Sequence, residues 1–300
     1  ASLVQNRTNR LNVIEPDKQK DKKYVNSGVL VADDCSIEKH YSFAQYIQGG
    51  LEIGLTVAID YTGSNGDPRM SDSLHYIHPI GEQYNQYEQA ILSVGQVLEP
   101  YDHDKEYTVY GFGARIKDST GEFGATAEHC FAIVPGGGAQ VHGVDGILKA
   151  YKESVTNVIF SGPTLFTPVI SATAAIADSL KCRQDRLRYQ ILLILTDGTI
   201  NDMETTINTL IQASALPISV LVVGVGHADF SEMRRLDSDG KQLSAGGRTA
   251  TRDVVQFVPF QQVAREGGSV LAQQLLAEIP NQVIQYMEEH HLVPNSVGRR

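Results

Sequence analysis

Three hundred residues, 42% apolar and 20% charged, suffice for one large domain with an appendage and a real core. A net charge of −10 excludes the basic footprint of a nucleic-acid binder, and contact with anionic lipid would need a bridging metal or a local basic patch. Three widely spaced cysteines (Cys35, Cys130, Cys182) with no CxxC pair point to a reducing, intracellular compartment; no apolar run reaches the roughly 20 residues of a membrane span, and no signal peptide is visible.

Residues 1–48 read as an arm: a basic run from Lys18 to Lys23, then a short strand at Gly28–Ala32, too little for a core of its own. The globular part is expected over 49–290, with a tail at 291–300. Leu51 opens an apolar run that reads as a buried strand ending at Asp60. Tyr87, Ala90, Ile91, Val94, Val97 and Leu98 keep helical spacing up to Pro100. Strands follow at Tyr107–Phe112 and His129–Val134, and a helix at Val144–Val155. Thr167-Pro168 predicts a helix start with Thr167 as cap, and Asn201 with Glu204 resembles a capping box for a helix that ends before Pro217. Ile191–Leu195, Ile218–Val223 and Val254–Val258 read as strands, Asp229 and Glu232 cap a short helix, and Val270–Met287 reads as a last helix kinked or split at Pro280. This alternation predicts an α/β, Rossmann-like fold with a mostly parallel central sheet and helices on both faces.

Chemistry concentrates where two of these strands stop. Asp60, Thr62 and Ser64 put one carboxylate and two hydroxyls at alternate positions beyond the first strand, and Thr196-Asp197-Gly198 ends another. Such an oxygen-only set suits a hard cation such as Mg²⁺ better than a thiolate or imidazole metal. In open α/β sheets ligands sit outside the carboxyl ends of the strands, so neighbouring strands ending in Asp60 and Asp197 would aim both carboxylates at one spot.

With Gly162-Pro163-Thr164 as a middle loop, the pattern resembles the metal-ion-dependent adhesion site of von Willebrand factor A domains: Asp-x-Ser-x-Ser, a distant Thr and a distant Asp. The resemblance implies five ligand positions, Asp60, Thr62, Ser64, Thr164 and Asp197, with Thr62 where the family usually has Ser. Longer segments narrow the match. AIDYTGSNGDPRMSDSLHYIHP (58–79), YGFGARI (110–116), GPTLFTPVI (162–170), LLILTDGTINDM (192–203), LPISVLVVGVGHADF (216–230), RDVVQFVPF (252–260) and LAEIPNQVIQYM (276–287) are similar to copine A domains. KKYVNSGVLVADDCSIEKHYSF (22–43) looks like the tail of a preceding C2-type domain and its linker, the calcium loops of the C2-type domains being missing.

The resemblance implies a cytoplasmic protein-binding module. Its Mg²⁺, with Mn²⁺ or Ca²⁺ as substitutes, would keep a position open for an acidic side chain of an intracellular partner. It also implies that the full-length protein carries such partners to phospholipid membranes when calcium rises. The competing reading is a Mg²⁺-dependent phosphotransfer enzyme. The aspartyl-phosphatase pattern needs a second Asp two residues after the first, where this chain has Thr62, and neither a Walker loop nor a kinase signature set is present, so no enzyme is expected.

Other motifs read as structural. Gly224-Val225-Gly226 lacks the third glycine of a dinucleotide fingerprint, and Gly136-Gly137-Gly138 lacks a phosphate-loop Lys. His75-Tyr76-Ile77-His78 lacks the helical context of a zinc site and reads as surface or hydrogen-bonded histidines; Asp102-His103-Asp104 and Asp237-Ser238-Asp239-Gly240 lack the rest of a calcium loop.

Overall fold

Alternation of buried side chains along two central strands organises the molecule. The structure is a computed structural model and describes residues 10–33, 39–79, 83–102, 104–134, 138–237, 242–261, 273–274 and 277–296. It divides into two compact units, Ala1–His40 and Tyr41–Arg300.

The first unit contains an antiparallel ribbon in which Arg10–Val13 pairs with Gly28–Val31, joined across a 3-10 turn at Pro16–Lys20. Val29, Leu30 and Val31 are exposed, as two strands alone cannot bury a core.

The second unit begins earlier than the composition shift at 48 suggested. A short helix, Phe43–Gln48, is closed by a Ser42/Gln45 capping box. Its Tyr46 is buried, and the hydroxyl donates to the carbonyl of Leu292 at 2.9 Å, so this segment packs with the C-terminal residues of its own unit.

The core elements of this unit are β1 (Glu52–Asp60), α1 (Gln86–Leu98), β2 (Glu106–Phe112), β3 (Phe131–Ala132), β4 (Gln140–His142), α2 (Gly143–Val155), α3 (Thr167–Leu180), β5 (Arg188–Thr196), α4 (Met203–Ala213), β6 (Ile218–Gly224), α5 (Ser231–Leu236), β7 (Val255–Pro259) and α6 (Ile279–Glu289). The sheet runs β7-β6-β5-β1-β2-β3, with β4 also on β2. The pairs among β7, β6, β5, β1 and β2 are parallel; β3 and β4 run antiparallel to β2. This is the doubly wound, mostly parallel α/β architecture expected from the alternation of elements.

Both faces are covered. Ile53, Leu55, Val57 and Ile59 of β1 join Ile191, Leu193 and Leu195 of β5 in a cluster with α1, α2 and α6. Ala58, Leu192 and Ile194 face the opposite way, into a cluster with α3, α4 and α5. Each fully buried Leu, Ile or Val contributes about 1.5–3 kcal/mol, so a one-residue slip of β1 would exchange its two faces and is strongly opposed.

One expectation shifts: only Phe131–Ala132 of the 129–134 segment is strand. Pro280 lies in the first turn of α6, where its missing N–H costs nothing; Gln273 and Gln274 before it are helical and 277–278 are not, while residues 270–272 and 275–276 lie outside the described residues. His103, residues 136–137 and residues 238–240, within three of the motifs above, also lie outside them. Among the described residues no helix is long and apolar enough to cross a membrane.

Candidate metal centre

The chain leaves β1 for β2 on one side and returns through β5 on the other, so the strand order reverses between β1 and β5. That reversal opens a crevice at their carboxyl ends. Register sets what faces it: Ile59 pairs with Leu195, which puts Asp60 beside Thr196, and Asp197 one residue beyond.

A continuous chain of oxygen contacts links the two strand ends. Asp60 Oδ1 accepts from the Thr62 amide at 2.8 Å and from the Thr62 hydroxyl at 2.6 Å. Thr62 Oγ1 lies 3.0 Å from Ser64 Oγ, and Ser64 Oγ donates to Asp197 Oδ1 at 3.0 Å. Asp60 Oδ2 accepts from Thr196 Oγ1 at 2.5 Å. Asp60, Thr62 and Asp197 are buried, while Ser64 is exposed.

Thr164 enters from the loop before α3, after a cis Gly162–Pro163 peptide. Its amide donates to Asn201 Oδ1 at 2.7 Å, and the Asn201 amide donates back to the Thr164 carbonyl at 2.9 Å. Among the described residues none makes a hydrogen bond to its hydroxyl. Thr164 lines a cavity of about 460 Å³ together with Ser64 and Asp197. Thr199, Asn201 and His227 share its wall. A larger cavity, about 630 Å³, is lined by Gly63, Arg69, Phe123 and Phe160 and holds none of the five predicted ligand residues.

The two expected helix caps resolve differently. Asp202, not Asn201, is the N-cap of α4, and its carboxylate makes no cap there. It accepts from the amides of Phe166 and Thr167 at 3.0 and 2.9 Å, satisfying the first turn of α3 from another segment, so the Thr167 side chain is not that helix's cap. Asn201 and Asp202 thus clasp the Thr164 loop to the loop after β5. The first loop is tied to the same segment by the Gly63 amide, which donates to Ser161 O at 2.7 Å.

Beneath the first loop lies a buried aromatic stack. His75 sits between Tyr87 (ring centroids 3.9 Å apart) and Tyr61 (5.5 Å). Burial pushes its pKa down to about 3, so the ring is neutral. The Asp60 carbonyl, 2.8 Å from Nε2, can only accept; Nε2 therefore carries the hydrogen, and Nδ1 accepts from the Tyr151 hydroxyl at 2.9 Å. His75 is thus hydrogen-bonded and not at the surface.

Among the described residues, no Lys or Arg lines the cavity shared by Ser64, Thr164 and Asp197. Burial raises the pKa of Asp60 despite hydrogen bonds from Thr196 and Thr62. Burial, then the Asp60 charge, pushes Asp197 up to about 7, with Ser64 and Asn65 acting against the rise. Proton counting gives the same result. The path from Asp60 through Thr62 and Ser64 to Asp197 has three O···O contacts and two hydroxyl hydrogens. With both hydrogens given to carboxylates, the Thr62 and Ser64 oxygens meet lone pair to lone pair. A carboxyl proton or a cation relieves that contact, and an all-oxygen set with two carboxylates fits a hard divalent ion. Among the described residues no group of three or more His, Cys, Asp or Glu could hold a metal, so any ion here depends on the hydroxyls.

Several supporting residues were not singled out from sequence. Thr196, quoted from sequence only as part of Thr196-Asp197-Gly198 and given no role of its own, anchors Asp60. Asn65, buried, donates through Nδ2 to the Thr62 carbonyl at 3.2 Å and accepts from Tyr87 OH at 2.6 Å. Nothing local in the sequence marks Asn65, Tyr87 or Asp202.

A family model described as Copine matches residues 73–295, a range that holds Thr164 and Asp197 and starts after Ser64. Protein BONZAI 1 of Arabidopsis thaliana is 45% identical over 268 residues, covering 88% of this chain and 45% of that protein. Protein BONZAI 2 of the same plant is 44% identical over 271 residues, covering 89% and 44%. The chain therefore spans less than half the length of these relatives. Among solved structures, the chain is similar to a manganese-loaded TRAP protein of Plasmodium vivax (TM-score 0.42, 12% identity, 71% of each chain). It is also similar to proximal thread matrix protein 1 from the mussel byssus (TM-score 0.40, 13% identity, 79% of this chain and 48% of that one).

Proposed function

The chain belongs to the copine family, and from that premise we propose that its larger unit is a protein-binding module whose partner is captured through a bound divalent cation. Asp60, Thr62, Ser64, Thr164 and Asp197 are the proposed ligand residues, directly or through coordinated water. Mg²⁺ is the proposed ion, with Mn²⁺ and Ca²⁺ as substitutes in an oxygen site. The observation that carries the reading is the hydrogen-poor oxygen chain from Asp60 to Asp197, opening at Ser64 onto the cavity shared with Thr164.

Two carboxylates neutralise a dication without giving the site net negative charge, so an incoming carboxylate is attracted and not repelled. The proposed partner is therefore an intracellular protein offering an Asp or Glu. In the longer protein, C2-type domains would supply calcium-dependent attachment to phospholipid, making the whole a cytoplasmic protein recruited to membranes. Catalysis is not part of this reading: the position an aspartyl phosphotransferase fills with its general acid is Thr62, whose hydroxyl already donates to Asp60.

The test is capture by the immobilised chain from a cytosolic extract, in Mg²⁺ against EDTA, with wild type and Asp197→Ala in parallel. Proteins retained only in Mg²⁺ by the wild type, and lost with the variant, are expected. An identical retained set under all four conditions sinks the proposal.

A further inference from the structure

Thr62, one of the proposed ligand residues, has a neighbour to which nothing above assigns a role in the ion site. Asn65 is buried one residue beyond Ser64. Its NH₂ group faces the Thr62 carbonyl at 3.2 Å and the Thr62 hydroxyl oxygen at 3.5 Å. The orientation is dictated chemically. A carbonyl oxygen can only accept, so the amide nitrogen must face Thr62 O and the amide oxygen must face away. That oxygen accepts from the Tyr87 hydroxyl at 2.6 Å.

Tyr87 belongs to α1, is fully buried, and its ring stacks on His75 at 3.9 Å between centroids with 20° between planes. The hydroxyl therefore comes from a rigid part of the core and reaches the loop from below. Further bonds fix Asn65: Ser73 Oγ donates to its carbonyl at 3.0 Å, and the Leu74 amide donates to the same oxygen at 3.0 Å.

We propose that Asn65 and Tyr87 are positioning residues of the ion site. Tyr87 holds the Asn65 amide with its hydrogens toward Thr62, and the amide in turn holds the Thr62 carbonyl and hydroxyl in place beside Asp60. This rests on the reading of the cavity as a divalent-cation site. The mechanism has a specific signature. Tyr87 touches none of the ligand residues through its hydroxyl, so its influence passes through Asn65 alone. Removing the hydroxyl should matter when Asn65 is present and be silent when it is absent.

The experiment is Mn²⁺ binding to the full chain, measured by titration calorimetry, for wild type, Tyr87→Phe, Asn65→Ala and the double variant. Tyr87→Phe keeps the ring and its stack on His75. Buried residues that orient metal ligands typically change affinity by about 10–100-fold. Tyr87→Phe is expected near the low end, at about tenfold, and Asn65→Ala higher. The double variant should match Asn65→Ala within about twofold, because coupled residues acting through one another do not add.

A second readout needs no metal. Backbone amide exchange across 62–66 in EDTA should quicken in Tyr87→Phe while the sheet amides stay as protected as in wild type. Tyr87→Phe binding Mn²⁺ as tightly as wild type overturns the proposal, as does a double variant whose losses multiply. A wild type that binds no Mn²⁺ overturns the cation reading itself, and this proposal with it.

Discussion

Replacing Asp197 by Asn should stabilise the metal-free protein at pH 7.5 and abolish its response to Mg²⁺. The carboxyl is pushed up to about 7 in the fold, first by burial and then by the charge of Asp60, from an ordinary value of 3.8. A folded-state pKa above the unfolded one means that folding favours the protonated form. The associated stability is fully present below about pH 4 and is lost as pH rises toward about 7. At 1.36 kcal/mol per unit, a shift of about 3 units costs roughly 4 kcal/mol once the group is ionised, an upper bound because the cavity admits water. Asparagine never ionises, and its Nδ2 can donate to Ser64 Oγ, supplying the hydrogen that the path from Asp60 lacks. For a domain of this size each kcal/mol moves the melting temperature by about 2–4 °C, so a gain of up to roughly 8–16 °C is expected for Asp197→Asn in EDTA. Thermal unfolding followed by fluorescence across pH 4–8, with EDTA or millimolar Mg²⁺, reads both effects. Asp60 titrates with the same sign and is coupled to Asp197 by charge, so the difference between variant and wild type reads Asp197 together with its effect on Asp60. A variant no more stable than wild type in EDTA, or one still stabilised by Mg²⁺, refutes the reasoning.

Three further outcomes follow from contacts around the loops. Gly113 has φ +80, and a Cβ there would collide with Thr62 Cγ2; Gly113→Ala should cost about 1–3 kcal/mol in urea unfolding and weaken Mn²⁺ binding, and retention of both would show that Thr62 is not held from this side. Asp202→Ala removes the acceptor for the Phe166 and Thr167 amides; a loss of about 0.5–2 kcal/mol is expected, with faster amide exchange at 164–168, and unchanged exchange there would contradict its role as a cap supplied from another segment. Saturating Mg²⁺ at a hundred times its dissociation constant should add about 2.7 kcal/mol to wild-type stability, reversed by EDTA; no change in melting temperature would mean that the folded chain binds no Mg²⁺.

Most strands, the mostly parallel sheet and the placing of Asp60 and Asp197 at strand ends were legible because each depends on local periodicity or on a residue at a strand end; the strand order that makes those two ends neighbours was not. Apolar runs such as Ile191–Leu195 cannot be anything but buried, and the residue after them emerges at a predictable edge. The supporting contacts were not legible, for an equally physical reason. Asp202 caps α3 from a position 35 and 36 residues away in sequence, and Thr196 reaches Asp60 across 136. Ser, Thr, Asn and Asp satisfy whichever amide the tertiary fold brings near, so a local capping box at Asn201–Glu204 lost to a long-range partner.

The most direct test of a divalent ion held by three converging loops is anomalous diffraction from crystals of the chain grown in Mn²⁺. One Mn²⁺ peak bounded by Asp60, Thr62, Ser64, Thr164 and Asp197, with all-oxygen ligands and one position taken by water or a neighbour's carboxylate, is the expected result. A peak elsewhere, or none in that cavity at millimolar Mn²⁺, would contradict it.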